Sequence, residues 1–233
     1  MMMTLIVVLV VSGALIAGAA WGIFGRLGDR VQGFLIALAG GSLVLSLVSE
    51  LIEPSIQKSN LFTATAGVAA GAIVFAIADY LIDEKWGSNS GGGLLAAISL
   101  DGIPENLALG VALIGATPAQ VAALAGSIFL SNLPEAAGGA RDMAHSGRKK
   151  SQVFWLWVAT AAILSIAAIV GNLALAGANE HLLAVIRCFA AGAVVASLAT
   201  EVFPKAFRDD HHLAGVATAL GVVLAFWLGH IGD

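Results

Sequence analysis

The chain has 233 residues, of which 59% are hydrophobic and 11% charged, with a formal net charge of −4. Those fractions lie far outside the soluble globular range and exclude a sizeable water-soluble domain. No long basic run is present to recruit nucleic acid, and a lone cysteine, Cys188, excludes an internal disulfide.

Apolar stretches of membrane length fall at 4–23, 33–52, 62–82, 93–114, 119–140, 153–176, 182–203 and 213–231. Eight spans of about 20 residues use roughly 160 positions, which leaves only short connections. The first stretch lacks a positive leader and a cleavage site, so it reads as a retained span and not a signal peptide. No ten-residue alternation suggests a barrel, and helices alone can then satisfy the backbone in lipid. The sequence thus predicts an all-α polytopic membrane protein of eight transmembrane helices, one transmembrane domain over 1–233. The 28 glycines fit helices that approach one another closely. Polar or glycine-rich connections precede span four (Ser88 to Gly93), span five (Thr117-Pro118) and span six (His145 to Ser151).

Basic residues set the orientation. Loops 1–2, 3–4, 5–6 and 7–8 carry Arg26, Arg30, Lys85, Arg141, Arg148, Lys149, Lys150, Lys205 and Arg208. The opposite side has Lys58, with Arg187 just inside span seven. The bias places both termini on the non-cytoplasmic side of a plasma (inner) membrane.

Two pairs of segments match internally. Gly41-x4-Ser46-Leu47-Val48-Ser49-Glu50 in span two resembles Gly192-x4-Ser197-Leu198-Ala199-Thr200-Glu201 in span seven, at an offset of 151. Asp101-Gly102-Ile103-Pro104-Glu105 in span four resembles Ser131-Asn132-Leu133-Pro134-Glu135 in span five, at an offset of 30. The members of each pair run oppositely across the membrane. That predicts an inverted repeat, spans 1–3 and 6–8 around a central 4–5 pair, as in secondary transporters with a midplane site.

Glu50, Asp79, Asp101, Glu105, Glu135 and Glu201 lie within or at the ends of spans, without a lysine or arginine in the membrane interior. A charge at the bilayer centre costs about 2.5–3.5 kcal/mol even on insertion scales. A cluster of carboxylates therefore needs protons, water or a bound cation, and a cation accounts for all of them together. Asp101 and Glu105 share a helix face, Asn106 follows, and Ser131 and Asn132 precede Glu135 by one turn. Pro104 and Pro134 leave the carbonyls of Leu100 and Leu130 without their helical donor. Carboxylates, amide, hydroxyl and freed carbonyls together suit a divalent cation.

The paired Pro-Glu segments resemble the metal-binding core of the ZIP family of divalent-metal transporters. The Ser49-to-Ser55 and Thr200-to-Ala206 segments are similar to that family's corresponding helices. The resemblance covers nearly the whole chain. It implies a 3+2+3 helix bundle passing zinc, iron, manganese or a related cation toward the cytoplasm, the metal being substrate and no organic cofactor being needed. Glu105, Glu135 and Asn132 carry over as ligands, beside Asp101, Asn106 and Ser131. Span four of the family usually reads His-Asn-x-Pro-Glu-Gly; here Asp101 replaces the histidine and Gly102 the asparagine. An oxygen-only site favours harder ions such as Mn²⁺, Mg²⁺ or Fe²⁺, and Gly102 removes a ligand that a second metal would need.

Glu50 with Ser49, and Glu201 with Thr200, are expected at the two ends of the pathway. Asp79, Asp83 and Glu84 read as a solvated helix end, and His211-His212 after Asp209-Asp210 as a loop able to accept metal weakly. The partners expected are the lipid bilayer and the metal cation; the Gly/Ala faces would permit a homodimer without demanding one. An intramembrane enzyme is not expected, since no nucleophile–base pair or phosphate-binding arginine cluster is visible. The competing readings are a proton-coupled transporter of another small solute, and a ZIP-like membrane regulator without transport.

Overall fold

In the computed structural model, which describes residues 2–86, 91–115 and 118–229, each of the eight apolar stretches coincides with a helical segment among the described residues. In chain order the helices are α1 (Met2–Phe24), α2 (Asp29–Ser46), α3 (Glu53–Lys58), α4 (Leu61–Trp86), α5 (Gly91–Ala112), α6 (Pro118–His145), α7 (Lys150–Ala174), α8 (Glu180–Ser197), α9 (Phe203–Asp209) and α10 (Ala214–Gly229). No strand occurs among the described residues. Five helical stretches are long and apolar enough to cross a membrane: Thr4–Phe24, Asp29–Lys58, Leu61–Ile82, Lys150–Ala174 and Glu180–Asp209, while Ala214–Gly229 is a shorter apolar helix. Large apolar side chains point outward, Phe62 being 82% and Leu9 71% exposed. An integral membrane protein presents that surface to lipid, whereas water would penalise it.

Local chemistry starts and stops these helices. Asn60 and Asn179 accept from the backbone amides of Thr63 and Leu182, each at 2.8 Å, and so cap α4 and α8. Asp210 does the same for α10, accepting from His212 and Leu213 at 3.2 and 3.3 Å. Beyond the ends of α5 and α6 lie Gly115 and Gly147, whose positive φ values (73° and 91°) a side chain would disfavour.

Two segments depart from the α pattern. Leu47–Ile52 and Leu198–Val202 form π turns, so that Asp29–Lys58 and Glu180–Asp209 are each one long helical run interrupted by a wider turn. Pro54 and Pro204 each stand two residues after the turn, behind Glu53 and Phe203. A proline cannot donate to the carbonyl four residues back and its ring crowds that carbonyl, which favours a widened turn before it.

The chain divides into two compact units. Unit 1 comprises Met1–Ser46, Thr117–Ala162 and Ala199–Asp233, and unit 2 comprises Leu47–Ala116 and Ile163–Leu198. In unit 1, α1 packs on α6, and α2 packs on α6, α9 and α10. A cluster of Ile36, Ala37, Ala206, Ala214 and Ala217 is buried where α2, α9 and α10 meet. In unit 2, α8 packs on α3, α4 and α5. Phe75, Leu109, Val111 and Cys188 are buried in that unit.

The two units are built from the same contacts. In unit 1, a methyl at Gly41 would overlap the Thr218 carbonyl and one at Gly221 the Leu38 carbonyl. In unit 2, Gly192 stands in that relation to Val68, and Gly71 to Phe189. These four residues are the unit 1 set displaced by 151 (α2 to α8) and by 150 (α4 to α10). Likewise Gly22 abuts the Ala137 carbonyl on α6, and Gly171 abuts the Leu107 carbonyl on α5. Thus α1, α2, α6 and α10 correspond to α7, α8, α5 and α4. The ten residues 41–50 and 192–201 also have the same order of buried and exposed positions, residue for residue.

Such contacts leave no room for a side chain. Gly71→Ala and Gly221→Ala are each expected to destabilise by about 1–3 kcal/mol. Gly13 is the control: a methyl added there would meet no atom within 4 Å, and Gly13→Ala should be neutral. Thermal unfolding of the purified variants in detergent checks this; equal midpoints for all three would contradict the close approach.

Candidate functional site

The two Pro-Glu segments lie on α5 and α6, one in each unit, and both helices run through their proline. On α5, Glu105 and Asn106 are buried. The Asn106 amide donates from Nδ2 to the Gly102 carbonyl at 2.9 Å. Committing its NH₂ group to the backbone turns Oδ1 away as an acceptor, the polarity a cation needs. Asp101 sits one turn before Glu105, and its side chain lies outside the described residues.

On α6, Ser131 and Asn132 are buried and Glu135 is partly exposed. The Ser131 hydroxyl donates to the Ile128 carbonyl at 3.0 Å, leaving its lone pairs as its remaining polar function. Asn132 Nδ2 is directed at the Val11 carbonyl of α1 at 3.5 Å, a long contact that again leaves Oδ1 as the acceptor. Both asparagines thus hold the backbone by their nitrogen.

Position 102 corresponds to Asn132 in the internal repeat, and there the two units differ. A side chain at Gly102 would overlap the methyls of Leu164 on α7. Leucine fills the space that an asparagine would need, so the loss of the second amide is built into the packing as well as the sequence.

Glu50 and Glu201 sit in the two π turns at matching places, each partly buried. Ser49 hydrogen-bonds to Glu50, and Ser49 and Thr200 are both exposed. π turns are rare and recur at functional positions, because the widened ring leaves backbone carbonyls turned out of the helical ladder. Apolar periodicity does not reveal them; the proline three or four residues after each glutamate is the sequence signal for them.

Lys205 is a second residue that the apolar pattern conceals. A seventh span ending at residue 203 puts Lys205 in a loop, but α9 continues the helical run to Asp209. Its ammonium pairs with Asp142 Oδ2 at 3.2 Å, and Glu135 is within electrostatic reach of both Lys205 and Glu201. The expectation that no base attends the buried acids is therefore corrected for Glu135. Arg141, only 13% exposed, ties the same end of unit 1 together: it pairs with Asp29 at 2.8 Å and Asp142 at 3.1 Å, and donates to the Leu27 carbonyl at 2.9 Å.

A third feature without a sequence-level expectation is a buried serine triad in unit 1. Ser42 donates to Ser127 at 3.0 Å, and Ser46 and Ser127 are 2.6 Å apart.

Of the peripheral candidates, Asp79 is partly buried on α4 and Glu84 exposed near its end. The side chain of Asp83 lies outside the described residues. His211 and His212 form an exposed pair with ring centroids 4.0 Å apart. Among the described residues, no three or more His, Cys, Asp or Glu side chains are gathered so as to hold a metal ion. Neither a protein-family model nor a curated protein matches the chain.

The Leu164 contact carries a direct expectation. Gly102→Asn alone should destabilise by about 1–3 kcal/mol through overpacking. Combining it with Leu164→Ala should recover part of that loss, with a coupling of about 0.5–3 kcal/mol in a double-mutant cycle. Strict additivity would show that Leu164 does not occupy the asparagine's space.

Proposed function

We propose that this chain is a divalent-cation transporter resembling the ZIP family, an atypical member whose cation ligands are oxygen atoms only. Glu105, Asn106 and Asp101 on α5, with Ser131, Asn132 and Glu135 on α6, are the proposed ligand set. Glu50 and Glu201, with Ser49 and Thr200, act at the two ends of the pathway. The finer architecture belongs to this proposal: eight spans as a 3+2+3 inverted repeat in the plasma (inner) membrane, both termini outside, with the cation moving toward the cytoplasm.

The observation that carries the reading is the pairing of the internal repeat with the acids. Each unit has one Pro-Glu helix, and each has its glutamate-bearing π turn at the corresponding place. Repeat symmetry by itself asks only for matched packing. Carboxylates matched at two levels of the fold, in a surrounding where each costs kilocalories to charge, ask for a common counter-ion. Asn106 and Asn132, both held by their NH₂ groups with the oxygen turned away, add neutral donors of the kind a hard cation takes.

Zn²⁺ would lose here the imidazole it favours, whereas Mn²⁺ and Fe²⁺ lose less. Chemistry is confined to dehydration and rehydration: carboxylate and amide oxygens replace water molecules one at a time as the ion enters, and release it when water returns.

A second reading is a membrane regulator that keeps this helix plan without transport. It draws on the lack of a gathered three-residue His/Cys/Asp/Glu group among the described residues. Reconstituted flux separates the two. Mn²⁺ uptake into proteoliposomes is expected from the wild-type chain, reduced by about a hundredfold or more in Glu105→Ala and Glu135→Ala, the scale for losing a ligand or its close support. Zn²⁺ should compete poorly. Unchanged uptake in both variants would refute the ligand assignment, and an absence of uptake of any divalent ion by the wild type would favour the regulator.

A further inference from the structure

Two contacts gather the positive charge of unit 1 in one place. Arg141, near the end of α6, donates to the Leu27 carbonyl at 2.9 Å and pairs with Asp29 at 2.8 Å, which fastens the α1–α2 connection to α6. The Lys150 ammonium, at the start of α7, stands 5.5 Å from the centre of the ring of Phe24, the last residue of α1. The short connections 25–28 and 146–149 are thereby neighbours, and all of these residues belong to unit 1.

The charge there is one-sided. Residues 24–31 and 141–155 carry Arg26, Arg30, Arg141, Arg148, Lys149 and Lys150 against Asp29 and Asp142. Both aspartates are already engaged, Asp29 by Arg141, and Asp142 by Arg141 at 3.1 Å and Lys205 at 3.2 Å. Arg26, Arg30, Lys149 and Lys150 are exposed. Unit 1 thus answers its acids at this end with two partly buried cations, Arg141 and Lys205, and turns four more basic side chains outward.

Aromatic surface lies beside that charge. Phe24 is 70% and Trp155 66% exposed, and the Phe154 ring meets Trp155 edge-on with centroids 6.1 Å apart. Trp155 stands five residues beyond Lys150, about 7 Å further along α7. Water penalises exposed rings, whereas the boundary between headgroups and acyl chains suits an indole, which is apolar with one polar N–H. A small anion in water would use the cations and leave the rings idle, and a neutral lipid would use the rings alone. An anionic phospholipid uses both, with its phosphate among the basic groups and its acyl chains along the rings.

We infer that this end of unit 1 is a docking surface for an anionic phospholipid, with Arg26, Arg30, Lys149 and Lys150 facing its headgroup and Phe24 and Trp155 its acyl chains. The Phe24 ring attracts the Lys150 ammonium through its electron-rich face and holds it at the level where a headgroup phosphate lies. Arg148, Lys149 and Lys150 are consecutive like charges, and a bound phosphate offsets their repulsion. The surface shares no residue with the proposed cation ligands. It requires only that the chain sits in a bilayer, so it stands or falls apart from the transport reading.

The test uses the full chain in phosphatidylcholine vesicles with a minor fraction of phosphatidylglycerol brominated on its acyl chains, bromine being a contact quencher of tryptophan fluorescence. The chain has five tryptophans, so the Trp155 signal is the difference between wild type and Trp155→Phe. Comparison with the same fraction of brominated phosphatidylcholine gives the relative affinity of the anionic lipid. Wild type should prefer phosphatidylglycerol, and raised salt should weaken the preference. Lys149→Gln should lower it about fivefold and Lys149→Gln/Lys150→Gln about 25-fold, the scale for one basic group each at an anionic surface. Both lysines are exposed, and Arg26→Gln gives an independent fivefold step should the double variant fold poorly. Arg208→Gln removes the same charge beside Asp209 on α9 and should leave the preference unchanged. Equal quenching of Trp155 by the two brominated lipids in wild type overturns the docking surface. So does a loss in Arg208→Gln as large as in Lys149→Gln, since net charge alone would then be at work. Inorganic phosphate that displaces the lipid where chloride at the same ionic strength does not would show a site for free phosphate, and overturns it too.

Discussion

Lipid gives helices no hydrophobic reason to associate, because a lipid tail is as apolar as a leucine. What holds this bundle together is close approach of backbone to backbone, and it is achieved by glycines set against carbonyl oxygens. Gly41 and Gly221 join α2 to α10, and Gly71 and Gly192 join α4 to α8. Remove that approach and the broader dispersion contact of the paired helices goes with it. The consequence for function is rigidity where it is useful: the acids sit on helices whose depth and rotation are set by backbone contacts rather than by adaptable side chains.

Against that regular background, the departures from symmetry are informative. The glycine contacts, the π turns and the burial order of residues 41–50 and 192–201 are common to both units. The differences include Gly102 under Leu164 in place of Asn132, and Ala193 in place of Ser42. Each unit thus carries its own set of polar groups on its Pro-Glu helix: Asp101 and Asn106 on α5 stand where α6 has Ser131 and Ala136.

Much of the helix plan is legible in the sequence because membrane spans announce themselves by length and apolarity. Among the described residues each expected stretch coincides with a helical segment, and the match of 41–50 with 192–201, visible in shared residue types, is repeated in burial. The boundaries at residues 52 and 203 are not legible. Polar residues such as Glu53, Lys205 and Arg208 end an apolar run, but they do not end a helix, and the helical runs continue to Lys58 and Asp209. That continuation brings Lys205 to Asp142, within electrostatic reach of Glu135. The serine triad is hidden for a different reason: Ser42, Ser46 and Ser127 are isolated polar residues in apolar runs, and only the crossing of α2 and α6 places them together. The filling of Gly102's space by Leu164 likewise depends on a contact between residues 62 positions apart.

The central claim is that a divalent cation is bound by oxygen atoms of the Pro-Glu helices, with no imidazole in the set. Electron paramagnetic resonance of Mn²⁺ titrated into the purified chain tests it most directly. The account predicts one tightly bound Mn²⁺ per chain, with no coupling to nitrogen. Absence of a bound Mn²⁺, or a bound ion with nitrogen couplings from histidine, would contradict it.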